Sequence, residues 1–393
     1  MPVPRSVESI EMIRRLVAMD TTSRNSNLEL IDFIADHLAR LGVHGRLVHD
    51  ESGRKANLYA TLGPSDKPGI ALSGHTDVVP IDGQNWNSDP WLLTEHDGRL
   101  FGRGTADMKA FLGILLTKAP EMLRREPTTP IHLVFTYDEE VGCLGVRSLL
   151  KVLRDLPVRP FACIIGEPTD MKVMVGHKGK MSLRCHVHGR ECHSSLAPEG
   201  VNAIEYAAAV IGRLRAMADR MAREGPFDRD FDVAHSTIHT GVVHGGTALN
   251  IVPKLCSFDF EFRYVPGVDP EALLAEVKGF AETELAPKMK AVAPEAGFTW
   301  EPISAFPGLD IPVESEIVAF VKSLTGANSV GKVAFGTEGG LFQEAGIPTV
   351  VCGPGSIAQA HKPDEFIEID QIAQCEAFMD RLMDRLCRLP ARA

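Results

Sequence analysis

The sequence predicts an α/β protein: a catalytic-type domain with a mostly parallel central sheet, into which a small ferredoxin-like α+β domain is inserted. Three observations predict this. Up to about residue 180, short apolar runs alternate with amphipathic stretches, the pattern of strands buried on both faces and covered by helices. From Met181 the runs alternate residue by residue instead; Phe258, Phe260 and Phe262 interleave with Asp259, Glu261 and Arg263, the period-two mark of a sheet with one solvated face. Near Pro307 the first texture resumes. The expected boundaries are 1–180 and 305–393 for the larger domain and 181–304 for the insert.

The elements follow in order. Val7, Ile10, Ile13, Leu16 and Val17 fall at helical spacing, with Ser6 as a candidate N-cap. A second helix runs from about Leu28 to Leu41 and stops at Gly42. Strands are expected near 44–49, 57–62 and 69–73. The turn residues of 81–101 predict a loop with a short hairpin. A helix starts after Asp107, and Ile131–Tyr137 reads as a strand. A helix over 143–154 and an apolar strand over 161–165 complete this part. The insert reads as strand 181–188, helix 201–222, strands 236–243 and 255–264, helix 270–285 and strand 297–303. Strand-helix-strand-strand-helix-strand is the ferredoxin-like order. Beyond it come a helix over 312–324, a strand over 348–352 and a helix over 370–388.

Composition narrows the function classes. The chain has 393 residues, enough for two cores, and a formal net charge of −11, which argues against a nucleic-acid partner. No apolar run approaches a membrane span, and the first ten residues hold no apolar signal region. The eight cysteines form no Cys-x-x-Cys pair and several sit in apolar runs, so free thiols in a reducing cytoplasm are expected.

The chemistry gathers at strand ends, where open α/β sheets bind ligands. His75 and Asp77 lie two apart after an apolar strand, so their side chains point the same way. Asp107 lies in a Gly-rich turn before a helix. Glu139 and Glu140 follow the 131–137 strand, Glu167 follows 161–165, and His361 follows 348–352. Taken singly, each has a plainer reading: a helix cap, a solvated loop acid, a turn acid, a surface histidine. Taken together, two imidazoles and three carboxylates form a nitrogen and oxygen donor set for zinc or a related divalent ion. The count exceeds one tetrahedral ion with an open position, and two ions sharing Asp107 fit it better. Adjacent Glu139 and Glu140 point apart on extended backbone, so one can meet an ion and the other the water. The Asp77 carboxylate is expected to fix the His75 tautomer.

These segments carry a resemblance. Ser73–Pro80, Gly102–Lys109, Thr136–Gly142, Gly166–Thr169 and the His361 segment resemble, in order, the dinuclear-zinc deacylase and exopeptidase family. That family includes acetylornithine deacetylase, succinyl-diaminopimelate desuccinylase, glutamate carboxypeptidases and aminoacylases. The resemblance implies a zinc-aminopeptidase-like catalytic domain and two divalent ions, zinc or cobalt. It implies His75, Asp107 and Glu167 on one ion and Asp107, Glu140 and His361 on the other. It further implies Glu139 as general base and acid, Asp77 as the orienter of His75, and a cis peptide after Asp107. The insert looks like the family's lid and dimerisation domain. Within it, His193 looks like a polariser of the scissile carbonyl, from its own subunit or a partner, and Asn250 and Arg263 look like substrate-carboxylate contacts.

Two segments, Phe335–Gly340 and Gly353–Phe366, are most similar to the acetylornithine-deacetylating branch. The implied activity is hydrolysis of the acetyl amide of N2-acetyl-L-ornithine, in arginine biosynthesis, by a cytoplasmic homodimer. Glu338 stands either as a contact for the distal ammonium or as a loop acid. A desuccinylase, aminoacylase or dipeptidase is the rival within the family, and a non-catalytic metal-binding assembly protein the rival outside it. His186 and His188 read as a surface pair on the insert, and His235, His239 and His244 as structural or exposed. Cys192 beside His193 reads as strand neighbours that point apart, unsuited to a thiol hydrolase.

Overall fold

Eight strands line up across the central sheet of the computed structural model, which describes residues 7–388. Their order is Arg46–His49, Ala56–Leu62, Ile131–Thr136, Ile70–His75, Ala162–Pro168, Thr349–Gly353, Met174–His177 and Leu309–Asp310. The four strands from Ile131–Thr136 to Thr349–Gly353 run parallel, and the pairings flanking them are antiparallel. Every residue of Ile70–His75, Ile131–Thr136 and Ala162–Pro168 is buried, as expected of strands covered on both faces.

The chain forms two compact units: one of residues 1–176, 309–332 and 337–393, the other of 177–308 and 333–336. In the first, helices Val7–Val17 and Leu28–Arg40 bury Ile13, Leu16, Ile31 and Ile34. The candidate cap Ser6 lies outside the described residues. Ala110–Arg124 is apolar nearly all round, because it is sandwiched between the sheet side and other helices. Ile369–Leu386 closes the unit.

The second unit has a four-stranded antiparallel sheet in the order Thr237–Gly245, Leu255–Tyr264, Gly179–His188, Gly297–Phe306. That is the ferredoxin-like arrangement the element order predicts. Phe258, Phe260 and Phe262 face helices Ala203–Glu224 and Pro270–Phe280, while Asp259, Glu261 and Arg263 take the open face. Asn202 caps the longer helix by accepting from the Ile204 and Glu205 N–H groups.

Some elements differ from expectation. The strand expected from Met181 starts at Gly179. The helix expected to end at Leu285 continues through Ala286–Val292, because Pro287 sits in a first turn, where its missing N–H costs nothing. Short pieces escaped periodicity altogether: Met174–His177, Leu309–Asp310, Gly331–Val333, Phe366–Glu368 and helix Gly339–Glu344.

Candidate metal centre and active site

Two glycines let the site assemble. Gly74 and Gly166 directly precede His75 and Glu167 on neighbouring strands. A Cβ at Gly74 would stand 2.6 Å from the Met108 Cε, and one at Gly166 would stand 2.2 Å from the Phe111 ring. Their bareness lets the turn Thr105–Lys109 and the helix after it close onto the strand ends. Asp107 is thereby carried beside His75, in non-helical backbone with the cis Asp107–Met108 peptide that the resemblance implied. Gly166→Ala is expected to cost about 1–3 kcal/mol through overpacking, read as a lower melting temperature.

The five expected ligands converge. His75 Nε2 lies 2.9 Å from Asp107 Oδ1 and 3.5 Å from Glu167 Oε1. His361 Nε2 lies 3.2 Å from Asp107 Oδ2 and 3.0 Å from Glu140 Oε2. The two oxygens of Asp107 thus face the two histidines. Donor atoms of His75, Asp107 and Glu140 lie within 4.8 Å of one another, as do those of His75, Glu139 and Glu167. Ligands held at about 2.1 Å from one ion can be at most roughly 4.2 Å apart, so the histidine–carboxylate spacings suit metal ligation. Glu140 Oε1 is buried and has no hydrogen-bond partner, an acceptor that a cation would satisfy. The residues therefore fit a pair of divalent ions.

The electrostatics agree. Burial opposes charge on His75, but Asp107, Glu167 and Asp77 carry its imidazole well above the usual range. Hydrogen bonds to Asp107 and Glu140 push His361 up to about 11. Burial, reinforced by Asp107, pushes Glu140 up to about 7 and Glu167 well above the ordinary carboxylate range. Burial also raises Glu139 well above that range, with His75 opposing and Glu140 and Asp107 adding to it. Burial opposes charge on Asp107 too, but hydrogen bonds to His361 and His75 hold its carboxyl low while the three glutamates are raised, a divergence of neighbouring acids typical of functional sites.

Asp77 behaves differently from expectation. His75 Nδ1 lies 2.8 Å from the main-chain oxygen of Asp77 and 3.6 Å from its carboxylate. The nearer partner of Nδ1 is therefore the carbonyl. The carboxylate instead accepts the Ser23 hydroxyl at 2.7 Å and the backbone N–H groups of Glu139 and Glu140 at 3.1 and 3.3 Å. It thus holds the turn that carries both glutamates. Ser23 gave no signal in the sequence, since it lies in a loop far from any ligand segment.

The remaining candidates are spread out. Glu338 is 2% exposed and precedes helix Gly339–Glu344, so it is not a solvated loop acid. Burial pushes its carboxyl up to about 8, and its Oε1 has no partner. It lies close enough to Glu139 to raise that carboxyl as well. In the second unit, His193 is exposed and caps the short helix Ser194–Glu199, where its Nδ1 accepts the Ser195 N–H at 3.2 Å. It is not a strand residue, and Cys192 turns its thiol to the Leu196 carbonyl at 3.3 Å. Asn250 is next to it: its carbonyl accepts the Ser194 N–H. Arg263 is remote from both. It pairs with Lys180, whereas Leu255, at the Asn250 end of the same strand, pairs with His188. Eight residues at about 3.4 Å put the two ends roughly 27 Å apart. His186 bonds Glu301 on the open sheet face, as a surface pair would. All eight cysteines are free.

Comparison with known proteins agrees with the fold. The family model "Peptidase family M20/M25/M40" matches residues 71–385. An acetylornithine deacetylase of Pasteurella multocida (strain Pm70) is 33% identical over 387 residues, 96% of this chain and 98% of that protein. One of Proteus mirabilis (strain HI4320) is 35% identical over 388 residues, 96% of each. Among solved structures, the M20 family metallo-carboxypeptidase Sso-CP2 of Sulfolobus solfataricus superposes with a TM-score of 0.77 at 18% identity, covering 96% of this chain and 98% of that one. The Bacillus subtilis YXEP protein, described as a dinuclear metal binding peptidase, gives 0.63 at 15% identity, over 95% of this chain and 96% of that one.

Proposed function

The chain belongs to peptidase family M20/M25/M40 and is a metal-dependent hydrolase, and from that premise we propose that it hydrolyses N2-acetyl-L-ornithine to L-ornithine and acetate. The observation that carries the chemistry is the convergence of His75, Asp107, Glu140, Glu167 and His361, with Glu139 beside them. Support for the substrate comes from the two relatives of that name, which match the chain nearly end to end. Ornithine so made would feed arginine biosynthesis.

His75, Asp107 and Glu167 would hold one ion, and Asp107, Glu140 and His361 the other. Zinc suits the donor set, with cobalt as a substitute. When bound, such ions lower the pKa of a water and polarise the acetyl carbonyl. Glu139 takes the proton that this water gives up as it attacks the carbonyl carbon. The raised pKa of its carboxyl suits a group that accepts a proton and then releases it to the departing α-amine. Asp77 holds Glu139 and Glu140 through their backbone N–H groups. His193 would donate to the developing oxyanion, Asn250 and Arg263 would meet the substrate carboxylate, and Glu338 would meet the distal ammonium.

Homodimerisation through the second unit fits its exposed surface. Thr237–Gly245 is an edge strand, and Val242, Val243, Leu249, Ile251 and Leu255 are all exposed around it. His193 and Asn250 lie at that end of the sheet and Arg263 at the other, so two copies are a natural source for one substrate's contacts. Among the described residues no helix is long and apolar enough to cross a membrane. We propose a cytoplasmic location from the free cysteines, which suit a reducing compartment.

The test is acetate release from a panel of N-acyl amino acids, with and without chelator. N-acetylornithine is expected to lead the panel, and chelator to abolish release until metal is restored. A succinylated or dipeptide substrate in the lead would reject the proposed substrate and keep the reaction class. Glu338→Gln is expected to lower kcat/KM for N-acetylornithine more than for N-acetylmethionine, which has no ammonium; equal losses would remove Glu338 from substrate binding.

A further inference from the structure

The ligands do not all have the same support. His75 and Glu167 stand on parallel strands whose ladders fix them. His361 stands in a loop between Thr349–Gly353 and Phe366–Glu368, with φ +64° and a half-exposed side chain. Asp107 stands in an irregular turn. The short ladder of Phe366–Glu368 with Arg99–Phe101 brings the two segments side by side but ends before either residue.

Glu365 links the two. It is 1% exposed, and both carboxylate oxygens are used. Oε1 accepts the N–H groups of Ala106 at 2.8 Å and Asp107 at 3.0 Å. Oε2 accepts the N–H of Gly104 at 3.0 Å and the Arg103 guanidinium at 2.7 Å. The Glu365 carbonyl accepts the Gly102 N–H at 2.9 Å. Every donor belongs to the turn that carries Asp107, and Glu365 is four residues beyond His361. The far side of the loop is also tied. Arg103 donates to the Gln84 side-chain oxygen and, at 3.3 Å, to the Lys362 carbonyl. Gln84 in turn donates to the His361 carbonyl at 3.1 Å. The Trp86 ring lies against the Arg103 guanidinium, 5.0 Å from its centre. A closed circuit of hydrogen bonds thus runs from the Asp107 amide to the His361 carbonyl.

We propose that Glu365, with Arg103 and Gln84, is a positioning clamp that sets the Asp107–His361 separation. It thereby governs affinity at the ion site those two share with Glu140. The site of His75 and Glu167 depends on it much less. This rests on the reading of Asp107 and His361 as ligands. A buried ion pair could instead serve stability alone, so the test must separate the two roles.

The experiment titrates cobalt(II) into metal-free protein and follows binding stoichiometry together with the visible ligand-field absorbance. Glu365→Gln keeps the size but turns an amide NH2 towards donors that need an acceptor. It is expected to weaken one of two binding events roughly 10–100-fold and leave the other within about twofold, the range usual for groups that orient ligands. Gln84→Ala alters a half-buried residue outside the core, so it should fold even if Glu365→Gln does not, and it should weaken the same event to a smaller degree. His361→Ala is the reference and should abolish that event. If His361→Ala abolishes one event while both clamp variants leave both events unchanged, or weaken both equally, the clamp is overturned and the ligand reading stands. If His361→Ala keeps both events, the ligand reading itself falls.

Discussion

Glu139→Gln is expected to keep both metal equivalents and to lose most turnover. A general acid–base group contributes roughly 10^2–10^4-fold to rate, and this one serves two steps: it takes the water's proton and delivers it to the amine. The amide can do neither. Among the described residues Glu139 forms no ion pair with a histidine, though its carboxylate comes within 4.8 Å of His75, whereas Glu140 stands 3.0 Å from His361 Nε2. Metal content should therefore not change, and KM should change little. The comparison that decides is kcat against metal stoichiometry on the same preparation. Full turnover with Gln at this position would refute the base assignment. Loss of metal together with turnover would make Glu139 a ligand instead.

Asp107→Ala is expected to remove both ions at once, because its two oxygens face the two histidines. Metal analysis of the dialysed variant should find well under one equivalent, whereas His361→Ala should retain about one. The same substitution should move the histidines. In the metal-free protein the His361 imidazole is held up to about 11, with the hydrogen bond to Asp107 as the first cause. Without that carboxylate it should titrate lower, visible by NMR, while the hydrogen bond to Glu140 still holds it above its ordinary value of about 6.5. The sign for the intact site follows. Histidines with raised pKa are charged at neutral pH, and a metal takes the neutral form. Binding therefore releases protons, and affinity rises with pH through the neutral range. Calorimetry in two buffers of different ionisation heat should detect that release. No dependence on buffer would mean the histidines are already neutral.

Much of this was legible because strands announce themselves. Apolar runs located the core strands, and polar residues at their ends marked His75, Asp107, Glu139, Glu140, Glu167 and His361. The phenylalanine alternation located the second sheet, with the ferredoxin-like strand order. What periodicity could not show was whatever depends on the backbone. The main-chain oxygen of Asp77 comes nearer to His75 Nδ1 than its carboxylate does, which no side-chain pattern shows. Short strands such as Leu309–Asp310 have too few residues to show a period. The separation of Arg263 from Asn250 follows from a register that only pairing reveals. Glu365 gave no sign of its role, for a carboxylate that accepts from backbone amides has no sequence signature beyond being acidic.

Anomalous diffraction at the zinc edge from metal-loaded crystals tests the central claim most directly. Two peaks are expected, with the Asp107 carboxylate between them, His75 and Glu167 at one, Glu140 and His361 at the other, and Glu139 at neither. A single peak, or peaks lying away from Asp107, would contradict the account.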